Sequence, residues 1–146
     1  MADLTRTNPY PDASNLVGVR LTGIIAGEAL TAGDAVFIHS DGKAYQADAA
    51  DHKDTLTTDD DNAGTDTTTW DTSKFDGFVV ADYAVGEGSV TVWGRNSIIT
   101  KYAAGMTPGA FYWISGTQGS LSDARIAAYD VAVAKAISAT DILVLR

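Results

Sequence analysis

At 146 residues and 45% hydrophobic content, the chain is long enough to bury one core and too short for two independent ones. Against 10 basic residues stand 19 acidic ones, and the resulting net charge of −9 repels phosphate backbones and anionic lipid, so neither nucleic acid nor a membrane surface is an expected partner. Without cysteine there can be no disulfide, thiolate metal site or cysteine nucleophile, and no apolar run is long enough to span a bilayer.

Residues 1–15 lack hydrophobic periodicity and contain Asn8-Pro9-Tyr10-Pro11-Asp12. Two prolines flanking a tyrosine favour an extended chain without ladder hydrogen bonds, read here as an arm or a frayed end. No basic start followed by an apolar run precedes Asn15, so no secretory signal is expected.

From Leu16 onward the pattern becomes one of short strands. Val17, Val19 and Leu21 alternate with Gly18, Arg20 and Thr22, the period-2 signature of a half-buried strand. Further strands are expected at Ala35 to His39, Ala44 to Ala47, Phe75 to Ala81, Ser89 to Trp93, Ser97 to Tyr102, Ala110 to Ser115, Tyr129 to Ile137 and Asp141 to Arg146. Ser40-Asp41-Gly42, Gly86-Glu87-Gly88 and Gly116-Thr117-Gln118-Gly119 supply turns between them. Only Ser122 to Ala128 could make a helical turn or two, with Ser122 as its cap. The expected fold is all-β, an antiparallel barrel or sandwich formed by residues 16–146 as one domain behind the arm.

Two stretches repeat one plan. Leu30-Thr31-Ala32-Gly33 leads into Val36-Phe37-Ile38, and Met106-Thr107-Pro108-Gly109 leads into Phe111-Tyr112-Trp113-Ile114. Each strand is followed by a glycine-containing turn and later by a closing strand pair, so two pseudo-repeated halves are read ahead of chance similarity among short strands. The halves differ most in an insertion at residues 50–74. Asp48 to Asp76 holds nine aspartates and two lysines, seven of the nine net negative charges. A segment this charged cannot support its own core and is expected to be a long acidic surface loop, pinned by Trp70 and Phe75.

The residues that carry chemistry are sparse. His39 ends a strand at a turn and His52 lies in the acidic insertion; no G-x-S-x-G elbow offers a nucleophile. A calcium loop begun at Asp59 meets Ala63 at a ligand position and Trp70 at the twelfth, so the EF-hand pattern fails. Gly86-Glu87-Gly88 joins two strands and opens no helix, which removes that anion site. The expectation is a protein that is not an enzyme and needs no metal or cofactor.

The stretch from Gly27 to Tyr45, GEALTAGDAVFIHSDGKAY, resembles the head decoration, or cement, proteins of tailed bacteriophages, and Gly105 to Ile114 with Ile142 to Leu145 is similar to the same group. That resemblance implies an oligomer, usually a trimer, on the outer face of the virion's capsid. It would bind where major capsid subunits meet and hold the expanded shell against internal DNA pressure. Arms in similar proteins often make the contacts, which by position gives Leu4, Arg6, Asn8, Pro9, Tyr10 and Pro11 that role. A tail- or fibre-associated β-module for host-surface binding is the alternative, with aromatics near Tyr112 and Trp113 as its ligand face; the core is the stronger expectation for those two.

Overall fold

The computed structural model describes residues 3–4, 12–14, 18–48, 75–124 and 131–146, which are all-β and contain no helix. Eleven strands run in chain order among them: β1 Asp12–Ser14, β2 Arg20–Ala26, β3 Ala35–Ile38, β4 Lys43–Gln46, β5 Gly77–Phe78, β6 Val90–Trp93, β7 Ile98–Thr100, β8 Phe111–Ile114, β9 Leu121–Ser122, β10 Ala134–Ala136 and β11 Ile142–Val144. The acidic insertion at 50–74 lies outside the described residues.

The strands form two units. β2-β4-β3-β5-β6 is a closed barrel, and β1-β7-β11-β10-β8-β9 is a six-stranded sheet. Pairing is antiparallel throughout except where β2 meets β4 in parallel at Ile25↔Lys43 and Ala26↔Ala44, the contact that closes the barrel.

The barrel interior is filled by small apolar side chains, namely Ala26, Leu30, Val36, Ala44, Val79, Val90 and Val92. Five strands enclose little space, and branched or short residues fill it without strain. Alternate positions on the same strands, Ala35, Phe37, Tyr45 and Phe78, turn outward into a second cluster with Ile99, Tyr102, Tyr112, Ile114, Leu121, Val133, Ile142 and Val144 of the six-stranded sheet. The barrel wall is therefore buried on both faces along β3, which explains the unbroken Ala35-Val36-Phe37 run. Phe78 sits edge-on to both Phe75 and Tyr102, with ring centroids 5.3 and 5.6 Å away.

One turn occurs twice. Asp34 N–H donates to the Thr31 carbonyl at 2.9 Å and Ala110 N–H to the Thr107 carbonyl at 3.0 Å. Their third residues, Gly33 and Gly109, have φ of 92° and 91°, the left-handed conformation that a type II turn reserves for glycine. Both glycines then donate 2.7 Å hydrogen bonds across the sheet, Gly33 to Val79 and Gly109 to Ala136. Pro108 presets the second turn through its fixed φ.

Three local expectations are corrected. The alternation at Val19 and Leu21 suggested a half-buried strand, yet both are exposed, at 44% and 39%. Gly23, at φ 74°, lies within a register shift between Leu21 and Ile24, so burial on β2 begins only at Ile24 and Ala26. Ser122, expected to cap a helical turn, is a fully buried member of β9, paired with Trp113, and its hydroxyl accepts the Ala124 N–H at 3.2 Å, while residues 125–128 of that turn lie outside the described residues. Asp12–Ser14, expected to lie in a partnerless arm, pairs with β7.

Candidate attachment surface

Of the six arm residues singled out above, the described residues include Leu4, while Arg6, Asn8, Pro9, Tyr10 and Pro11 lie outside them. Leu4 is half-buried against the larger core, and its N–H donates to the Leu121 carbonyl at 3.0 Å. Beside it, the Asp3 carboxylate accepts the hydroxyl of buried Ser115 at 2.6 Å. Leu4 is thus held by the protein's own core.

The outer face of the six-stranded sheet carries a second set of candidates. Register places Phe111, Lys135, Leu143 and Ile98 in one row across β8, β10, β11 and β7. These are the solvent-side positions of their strands: Phe111 is 47% exposed and the other three half-exposed. The Lys135 ammonium lies 5.6 Å from the Phe111 ring centroid, close enough for a cation–π contact. Trp113 is half-buried two positions along β8, and Ile137 beyond β10 is 43% exposed. Period-2 alternation divides the aromatic run: Tyr112 and Ile114 enter the core, while Phe111 and Trp113 take the other face. Phe111 was missed as a surface residue in the sequence because four apolar residues in succession conceal which pair faces out.

An acidic junction lies where the two units touch. Asp34 and Asp48 are buried, and the Asp34 carboxylate accepts the Thr31 N–H at 2.8 Å and the Gln46 amide at 2.9 Å. Glu28 accepts the Gln46 backbone N–H at 2.8 Å. From the other unit, Gly119 donates to the Ala47 carbonyl and accepts from the Ala35 N–H, both at 2.9 Å. Burial raises the Glu28 pKa above the ordinary glutamate value; the Gln46 N–H opposes this, and the charges of Asp34 and Asp48 add to it.

A carboxyl whose pKa is raised by folding favours the folded state below its unfolded pKa, and this contribution is lost as pH rises through the folded value. Glu28→Gln keeps an acceptor for Gln46 and removes the buried charge. The variant is expected to have a higher denaturation midpoint than the parent at neutral pH, with the difference closing as pH falls below the ordinary glutamate range. Urea titrations of both proteins across that range check this; a variant less stable at neutral pH would contradict it.

His39 is half-buried at the β3–β4 hairpin, its Nε2 3.2 Å from the Ser40 hydroxyl and its ring edge-on to Phe37 and Tyr45. Asp41 accepts the Tyr45 hydroxyl at 2.5 Å and the Lys43 N–H at 2.9 Å, contacts that tie the turn to its strand. Among the described residues no group of three or more His, Asp or Glu could hold a metal ion. Compared with known proteins, the chain matches no family model, no curated protein and no solved structure.

Proposed function

We propose that this protein is a capsid decoration protein of a tailed bacteriophage, bound as an oligomer, most simply a homotrimer, to the outer surface of the expanded head. The observation that carries the reading is the row Ile98–Leu143–Lys135–Phe111, three partly exposed apolar side chains around one lysine on a sheet of an otherwise strongly acidic protein. Scattered exposed apolar residues are ordinary, but a contiguous row crossing four strands fits a protein–protein contact. Two further features support it. The repeated turn at Gly33 and Gly109, with matching donors to Val79 and Ala136, agrees with a chain of two pseudo-repeated halves. Those turns fall within the two stretches that resemble decoration proteins.

The mechanism is clamping without chemistry. Each protomer contacts neighbouring major capsid subunits, and once one contact of an oligomer forms, the others become intramolecular, so modest individual affinities sum to tight attachment. The shell is then held against outward pressure by cross-links between its own subunits. The alternative, a tail- or fibre-associated module for host-surface binding, draws on the same exposed Phe111 and Trp113.

Co-sedimentation with expanded heads of the cognate phage tests the proposal. Phe111→Glu is expected to weaken attachment at least tenfold, about 1.4 kcal/mol or more, since it replaces an exposed aromatic anchor of the contact with a charge. Undiminished binding by a folded Phe111→Glu protein would remove this face from the contact.

A further inference from the structure

Two described stretches near the start of the chain meet the β7 and β9 edges of the sheet. At one edge β1 runs antiparallel to β7, with Asp12 opposite Thr100, Ala13 opposite Ile99 and Ser14 opposite Ile98. At the other, Asp3 bridges Ser122 of β9, also antiparallel, and Leu4 donates to Leu121. The barrel shows what these contacts replace. Its order β4-β3-β5-β6-β2 corresponds strand for strand to β9-β8-β10-β11-β7. In the barrel, β2 and β4 meet in parallel and close the ring. In the sheet, four successive antiparallel pairings leave β7 and β9 parallel to each other, and the two do not pair.

A strand inserted between two parallel strands and antiparallel to one must be antiparallel to the other. Asp12–Ser14 is antiparallel to β7, and the Asp3 bridge to Ser122 is antiparallel to β9. We infer that the gap between β7 and β9 is a strand-acceptor groove, and that Asp12–Ser14 at its β7 edge and Asp3-Leu4 at its β9 edge are donors from the same chain. The groove recognises an extended peptide by three features. Two β edges offer backbone hydrogen bonds, an apolar seat in the larger core takes Leu4, and the Ser115 hydroxyl meets the carboxylate of the residue before it. An acidic residue followed by leucine, as in Asp3-Leu4, satisfies the last two. Filling the groove also covers two edges that would otherwise be templates for pairing with other chains. Asp3, Leu4 and Asp12–Ser14 are therefore part of the second unit.

The absence of native cysteine permits a direct test in the full chain. Asp12→Cys with Thr100→Cys places two thiols on directly opposed strand positions. Mild oxidation by a disulfide reagent is expected to give a disulfide within single chains in high yield, seen as loss of both free thiols on thiol titration together with one-chain mass on a non-reducing gel. Cross-links only between chains, or none, would overturn the assignment. Independently, Leu4→Ala in the otherwise native chain is expected to lower the melting temperature by roughly 4 °C, as loss of a partly buried leucine contact does in a domain of this size. An unchanged melting temperature would show that the groove does not depend on the donor. Neither measurement involves a capsid, so each stands or falls apart from the proposed function.

Discussion

Replacing Gly77 by alanine is expected to destabilise the fold by about 3 kcal/mol or more, the upper range for forcing an atom into a filled site. A Cβ at this position would lie 2.4 Å from the Trp93 carbonyl oxygen, 2.8 Å from its carbon and 2.8 Å from Val92 Cγ1. The first two are backbone atoms of β6, so no side-chain rotation relieves the clash. β6 is fixed in turn: Val90 and Val92 fill the barrel, and Trp93 packs against the larger core with the Arg20 guanidinium 5.5 Å from its ring centroid. Gly88→Ala is the matched control, since its nearest neighbour would be Ile25 Cγ1 at 4.0 Å, and a change within about 0.5 kcal/mol is expected. Chemical denaturation of both variants decides the matter. Equal, small effects would mean that β5 does not approach β6 as closely as described.

Phe78→Ala is expected to cost about 3–5 kcal/mol, the usual loss for emptying a fully buried aromatic site. Phe78 is completely buried, belongs to the barrel through β5, and packs against Tyr102 beyond β7. Because its neighbours come from both units, the loss should be felt by both at once. The variant is expected to unfold in a single transition at a lower denaturant midpoint, by tryptophan fluorescence and far-ultraviolet circular dichroism alike. Two separated transitions, or a loss below about 1 kcal/mol, would contradict a shared core.

Much of this arrangement is legible in the amino-acid sequence, and the exceptions have physical causes. Thr31-Ala32-Gly33 and Thr107-Pro108-Gly109 announce their turns because type II geometry requires glycine locally, whatever the rest of the chain does. β3, β4, β6 and β8 are legible because their side chains meet a core on at least one face. β1 is not, since Asp12-Ala13-Ser14 has no apolar alternation and pairs only because β7 presents an open edge 84 or more residues away along the chain. β9 is two residues long and becomes a strand through Trp113 and Ile114. Val19 and Leu21 mislead because a bulge at Gly23 separates their alternation from the buried end of β2. For the candidate surface, Leu4 could be selected by its position in the arm, but not its seat beside Leu121. Phe111 becomes visible only when register aligns it with Lys135 and Leu143.

The decoration proposal and the acceptor groove assign different tasks to different parts of the chain. Asp3, Leu4 and Asp12–Ser14 pair along the edges of the second unit, while Phe111, Lys135, Leu143 and Ile98 lie on its outer face. Under the decoration proposal, the capsid contact is this face, apolar side chains around Lys135, and its affinity depends on how many copies an oligomer brings together.

Where the protein sits on intact phage particles tests the central claim most directly. Fluorescent or gold-labelled binding protein raised against this chain, imaged on purified particles, is expected to mark the whole head surface evenly. A few copies confined to one vertex or to the tail would contradict capsid decoration and assign the protein to the tail.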